Sequence, residues 1–195
     1  YYSDLFAATC GPEDDALWTH RAIERPTSLP TLWMHLAEQV DSPVDLTFAL
    51  VPTEGPGAGR AAGIASYTGI EPAHGRVELG GVLLGRTLQR TRAATEAVHL
   101  LMRHAFDELG YRRLEWKCDS LNAPSRRAAA RLGLAFEGRF RSHMVVKGRN
   151  RDTDWLALTA AEWPGVRVLH ESWLDPANFD ADGRQRSALS DLTAR

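Results

Sequence analysis

The sequence predicts one mixed α/β domain, and three observations carry that prediction. A buried apolar strand at Val77 to Leu84 runs through a short basic connection into a long helix and then into a second strand at Arg113 to Cys118. A crossover of helix length makes two such strands parallel. Antiparallel strand pairs joined by turn-forming stretches stand on both sides of that unit, and helical periodicity precedes the first of them. With 195 residues, 44% of them apolar, the chain can bury one substantial core.

Helices open the chain. Asp4 to Thr9 and Asp14 to His20 are two short pieces, and Ser28-Leu29-Pro30 starts a longer one to about Val40, with Leu32, Trp33, Leu36 and Val40 on one face. Leu46 to Val51 and Ala61 to Ile70 are strands, and the Pro/Gly-rich PTEGPGAGR between them makes a hairpin with a loose tip. Glu71 to Arg76 turns the chain into the strand at Val77. After the connection Gly85 to Arg92, apolar residues recur at Ala94, Ala97, Val98, Leu101, Met102, Ala105, Phe106 and Leu109, which is one buried helix face, and Gly110 stops the helix. Leu114, Trp116 and Cys118 then alternate with Arg113, Glu115 and Lys117, so the next strand buries one face. Asn122 caps a helix from Ala123 to Leu132, with Pro124 in its first turn and Gly133 at its end. Phe136 to Val146 and Thr153 to Leu158 form an antiparallel hairpin closed by the turn KGRNRD. From Trp163 onward one amphipathic piece precedes the polar DPANFDADGRQRS, irregular by composition. Residues 1–162 are thus read as the domain and 163–195 as a helical and irregular tail.

Composition excludes several classes. No run approaches the roughly 18 apolar residues of a membrane span, and the two cysteines, Cys10 and Cys118, are too few for a disulfide framework, so a soluble protein of the reducing cytoplasm is expected. The chain does not begin with Met, so it is expected to start partway into a natural sequence or after processing. Its histidines show no metal-binding spacing, and no metal is expected. Residues 86–151 carry 15 Lys+Arg against 6 Asp+Glu, which leaves 8 of the 23 basic and 19 of the 25 acidic residues outside that window. A basic middle suits an anionic ligand or a solvated face, while the acidic flanks argue against nucleic acid.

A strand feeding a helix through a tight loop aims unpaired backbone N–H groups and the positive end of the helix dipole at one point, which favours a phosphate. That arrangement, with Glu78 in the strand and Asn122-x-x-Ser125 ahead of the second helix, resembles the GNAT superfamily of acyl-CoA-dependent N-acetyltransferases over about Leu46 to Ala160. Within it, NAPSRRAAARLGLAFEG (Asn122 to Gly138) is similar to the RimJ/RimL-like branch that acetylates N-terminal amino groups of ribosomal proteins. The resemblance implies a GNAT-like fold with a splayed central sheet flanked by helices, a first strand upstream of this chain, and acetyl-CoA as co-substrate in the splay. It aligns the pyrophosphate loop with Gln89, Arg90, Thr91, Arg92, Ala93 and Ala94, followed by Thr95; Arg92 stands where the family has glycine, and Arg86 and Arg90 lie nearby in sequence.

The resemblance further implies that backbone groups of Gly81, Val82, Leu83 and Leu84 pair with the pantetheine arm, that Asn122 lies beside that arm, and that Ser125 donates to the departing thiolate. Arg126, with Arg127 and Arg131, faces the nucleotide phosphate or water. The base is open between Glu78, His143 and ordered water, since an amine must lose a proton before it attacks a thioester. The acceptor would enter under the early helices carrying Trp18 and Trp33, and a homodimer is compatible with the sequence. A non-catalytic acyl-CoA-binding module and a polyanion-binding protein are the competing readings, separated by turnover and by salt dependence.

Overall fold

The alternation of Leu114, Trp116 and Cys118 with charged residues builds the middle of a six-stranded sheet in the computed structural model, which describes residues 1–55 and 57–193. In chain order the elements are α1 (Tyr2–Thr9), α2 (Asp15–Trp18), α3 (Leu29–Val40), β1 (Leu46–Leu50), β2 (Gly63–Glu71), β3 (Arg76–Leu84), α4 (Arg92–Arg103), β4 (Arg113–Asp119), α5 (Ala123–Arg131), β5 (Ala135–Val146), β6 (Arg149–Thr159), α6 (Trp163–Leu174) and α7 (Leu189–Thr193). The strand order is β1-β2-β3-β4-β6-β5, and only β3 and β4 run parallel, as the crossover predicts.

Two cores lie against the sheet. Val77, Leu79, Leu114, Trp116, Leu156 and Leu158 pack with α4, α5 and α6 in the larger, whereas Leu83 and Ile64 pack with Leu5, Trp18, Leu32 and Leu36 of the N-terminal helices in the smaller. That Leu79 and Leu83 belong to different cores breaks the period-two rule and has a local cause. Ile64 pairs with Leu83 but Ser66 pairs with Gly80, so β3 carries one extra residue. Gly81 absorbs it with φ of 62°, and a Cβ there would sit 2.9 Å from Ser66 Oγ. The resulting bulge flips every later side chain to the other face.

Several local expectations change. Leu32 and Leu36 are buried, but Trp33 and Val40 are 52% and 56% exposed, because the short N-terminal helices cover a narrower stripe of α3 than its apolar pattern offers. Trp18, by contrast, is buried, with its Nε1 donating to the Thr9 carbonyl at 2.7 Å. The long helix leaves α geometry after Arg103 in a π-type turn over His104–Glu108, which swings Leu109 out to 49% exposure before Gly110, at φ of 68°, ends it. The last hairpin turns on Lys147 and Gly148 alone, both at positive φ, so Arg149 to Asp152 extend β6 rather than form the turn.

The polar stretch after α6 is irregular but anchored. Asn178 Nδ2 donates to the carbonyls of Trp173 and Ser187, Trp173 Nε1 donates to Gln185 Oε1 at 3.0 Å, and Leu189 of α7 is fully buried in the larger core. Asp175, Asn178 and Asp180 bond the segment's own backbone, a use that composition does not reveal.

Candidate functional site

β3 and β4 pair at three positions, Arg76 with Arg113, Val77 with Leu114 and Glu78 with Glu115, and then diverge. Beyond Glu78 their facing edges no longer satisfy each other, which opens a wedge between the strands. The wedge belongs to a cleft of about 2440 Å³ that continues past the start of α4 to the C-terminal segment. A drug-sized ligand occupies about 300–1,000 Å³, so this cleft has room for a long cofactor and a second reactant.

At the wide end the loop wraps tightly into the start of α4. Arg90 adopts φ of 60°, and Thr91 caps α4: its Oγ1 accepts from the Ala94 amide at 3.1 Å and donates to the Leu88 carbonyl at 2.7 Å. The Thr95 amide reaches the Thr91 carbonyl at 3.4 Å. Among the described residues, the amides of Arg90, Arg92 and Ala93 have no protein partner. Three free donors therefore stand at the positive end of the helix dipole. The sequence placed Ala94 and Thr95 among the donors; the cap consumes their amides. Replacing Thr91 with alanine is expected to lower stability by about 1 kcal/mol in urea unfolding, and an unchanged midpoint would show that the cap contributes nothing.

The arginines divide by helix geometry. Arg127 and Arg131, one turn apart on α5, line the cleft, and Arg131 Nη2 donates to Thr95 Oγ1 at 3.0 Å. Burial pushes the Arg131 guanidinium below its usual range, and the group lies over Trp173, 5.8 Å from the ring centre. Arg126, which the sequence leaves facing the nucleotide phosphate or water, does not line the cleft and meets Asp154 Oδ2 at 3.5 Å. Arg86 is likewise committed, to Asp14 Oδ1 at 2.7 Å and to Glu13. Arg92 lines the cleft with its guanidinium over Phe179 at 5.5 Å, so the replaced glycine's side chain turns toward the C-terminal segment.

Along β3 the bulge turns the carbonyls of Gly81 and Val82 toward the N-terminal segment, where Arg21 Nη1 donates to them at 3.1 and 3.4 Å. Gln89 Nε2 donates to the Leu84 carbonyl at 2.9 Å. Side chains thus already bond three of the four carbonyls expected to meet a pantetheine arm, those of Gly81, Val82 and Leu84, and a carbonyl oxygen can accept twice.

At the narrow end, Glu78 Oε2 is 2.9 Å from Lys117 Nζ, which also reaches Glu115 Oε2 at 3.2 Å and lies 4.1 Å over the Trp155 ring. Burial alone would push the Glu115 carboxyl up, but the hydrogen bond from Arg113 and the Lys117 charge outweigh it and hold the group below its usual range. Asn122 Oδ1 accepts from the Ser125 amide at 3.1 Å, and Ser125 Oγ accepts from Trp116 Nε1 at 2.9 Å, so the serine oxygen is an acceptor here and its hydroxyl hydrogen faces the neighbouring Cys118 thiol. Glu78, Asn122 and Ser125 all line the cleft, together with Gly81 to Leu84 and Gln89 to Thr95. His143 does not; it sits on the exposed hairpin, Nδ1 3.0 Å from Thr153 Oγ1. One pair in the cleft escaped sequence reasoning: His20 Nδ1 lies 3.2 Å from Asp119 Oδ2. No local pattern links residues so distant in the chain. Among the described residues no group of three His, Cys, Asp or Glu is placed to hold a metal ion, and no helix is long and apolar enough to cross a membrane.

Comparison with known proteins follows the same lines. Residues 4–135 match the model of the acetyltransferase (GNAT) domain. A solved GCN5-related N-acetyltransferase from Brucella melitensis is 40% identical, superposes with a TM-score of 0.94, and is matched over 99% of this chain and 86% of its own. The N-acetyltransferase p20 of Bacillus licheniformis is 32% identical over 103 residues, 53% of this chain and 57% of that protein, so the match spans little more than half of that curated relative.

Proposed function

Because the chain belongs to the GNAT acetyltransferase family, we propose that it transfers an acetyl group from acetyl-CoA to a primary amine, with the α-amino group of a protein, peptide or aminoacyl compound as the acceptor. The observation that carries this reading is the set of three unpartnered amides, of Arg90, Arg92 and Ala93, at the mouth of a cleft that leads between the splayed strands. They would hold the diphosphate, Arg127 and Arg131 would add charge, and Asn122 and Ser125 would border the pantetheine arm and its thiol. The sheet's other face, under the early helices, receives the amine. The α-amino assignment rests on the likeness of Asn122 to Gly138 to the RimJ/RimL-like branch. Both cysteines are unpaired and buried, in keeping with action in the cytoplasm.

Direct transfer needs no covalent enzyme intermediate. The residues supply proximity and proton management: the strands and the loop fix the thioester, and the Ser125 hydroxyl hydrogen turns from the Cys118 thiol to meet the leaving sulfur. Two measurements test this. Acetyl-CoA at a hundred times its dissociation constant should stabilise the protein by about 2.7 kcal/mol in thermal unfolding. Thiol release from acetyl-CoA should require the tripeptide Ala-Ala-Ala with a free N-terminus and stop when that terminus is already acetylated. An unmoved melting curve rules out both CoA readings, and a shift without turnover on any free amine favours the non-catalytic module.

A further inference from the structure

We propose that His20 is the proton acceptor for the attacking amine and that Asp119 is the residue that positions it. The inference rests on the acetyl-transfer reading above and says which side chain manages the proton. His20 follows α2, Asp119 ends β4, and the fold sets their side chains 3.2 Å apart on the wall of the cleft. Asp119 is itself held, since its Oδ1 accepts from the Leu121 amide at 2.9 Å. An ionised carboxylate only accepts hydrogen bonds, so the proton of a neutral His20 sits on Nδ1 and its Nε2 carries a lone pair. A base oriented by a fixed carboxylate is an arrangement that recurs wherever imidazole moves protons.

Position supports the role. The next residue, Arg21, is bonded to Gly81 and Val82 of β3, while His20 is bonded to Asp119 of β4. Two consecutive residues therefore bridge the gap where the strands part, beside the edge along which the thioester would lie. Asp119 on β4 is 3.2 Å from His20, Arg21 is its chain neighbour, and Lys147 from the last hairpin ties down the same segment through the Trp18 carbonyl and Glu24. The alternatives are poorly placed. Glu78 is tied up in an ion pair with the Lys117 ammonium at 2.9 Å, and His143 does not line the cleft.

In the step, the amine nitrogen bonds to the thioester carbon while His20 Nε2 takes the nitrogen's proton. The C–S bond breaks, its electron pair leaves on the CoA sulfur, and the proton passes from His20 through solvent to that thiolate. Amine and acetyl-CoA thereby become amide and free CoA with no other reactant.

The test compares wild type, His20→Ala and Asp119→Asn with Ala-Ala-Ala as acceptor and acetyl-CoA saturating, reading thiol release from pH 6 to 9 and the melting shift given by acetyl-CoA. His20→Ala should lose about a hundredfold in kcat/KM at neutral pH while keeping the melting shift, and added imidazole should restore part of the rate. Asp119→Asn should lower kcat while leaving KM for the peptide and the melting shift unchanged, because an amide can present its N–H to Nδ1 and so leave the imidazole proton on Nε2. A His20→Ala rate within about threefold of wild type, or a loss that imidazole does not rescue, overturns the assignment and leaves the acetyl-transfer reading standing. A wild type that binds acetyl-CoA but releases no thiol with the peptide overturns both together.

Discussion

Alanine in place of Gly85 is expected to destabilise the protein by on the order of 3 kcal/mol, near the upper end for a single added methyl group. Gly85 lies where β3 leaves the sheet, under the last turn of α1. A Cβ there would meet the Ala8 carbonyl oxygen at 2.7 Å, the Ala62 carbonyl oxygen at 2.8 Å and the Ala8 Cβ at 3.1 Å. Two of those three atoms are backbone and cannot rotate away. The Gly85 amide donates to the Ala62 carbonyl at 2.8 Å, and its own carbonyl accepts from the amides of Leu88 and Gln89. Relieving the clash would therefore push α1 off the sheet or pull open the loop that holds the three free amides. The urea midpoint should fall and the acetyl-CoA melting shift should shrink with it. Gly138→Ala is the control, since nothing lies within 4 Å of its added Cβ. Equal midpoints for Gly85→Ala and Gly138→Ala would refute the close approach.

Acidification is expected to remove about 3 kcal/mol through His170 alone. The side chain is fully buried on α6, its Nε2–H donates to the Leu132 carbonyl at 3.2 Å, and its Nδ1 has no partner. Burial first, and then the nearby His99, push its pKa down to about 4 from an ordinary value of 6.5. Above pH 6.5 the ring is neutral in both folded and unfolded chains and contributes no pH dependence. Between 6.5 and 4 the unfolded chain binds a proton that the folded chain refuses, so stability falls as pH falls. Below 4 both states are protonated and the loss levels off. Burial also lowers His99, which adds a decrease of the same sign. The upper part of this window lies above the range where Glu115, Glu137 and Asp152 titrate, all of which the fold holds below their usual values. Unfolding free energies from pH 7.5 to 5 should show the decline in wild type and a shallower one in His170→Phe, whatever that variant's stability at pH 7.5. Parallel curves would place the proton uptake elsewhere.

How much of the site could be read in advance depended on how local its causes are. The Asn122 cap, the Pro124 first turn and the glycine after α5 are patterns within a dozen residues, and the structure shows the cap. Thr91 is also a capping residue type three positions before a helical amide, so the sequence did hold a signal for it. Which amides of the Gln89 to Thr95 loop stay free is not legible locally, because a cap and an anion compete for the same N–H groups. Arg126 lies off the cleft for a physical reason: three arginines in one helical turn and a half cannot share a face, and the buried Asp154 draws Arg126 toward the last hairpin.

Chain order, the parallel pair around a helical crossover, the helix ends and the basic middle follow from the amino-acid sequence by itself, because each is set by side-chain periodicity or by backbone preferences over a few neighbouring residues. The tertiary structure alone decided that Leu83 faces the N-terminal helices, that Lys117 ties down Glu78, that Arg21 sits on the bulged strand and that His20 meets Asp119. Those outcomes depend on distances between segments as much as 99 residues apart, and a one-residue bulge or a few ångströms of strand divergence reverses them without altering any local pattern.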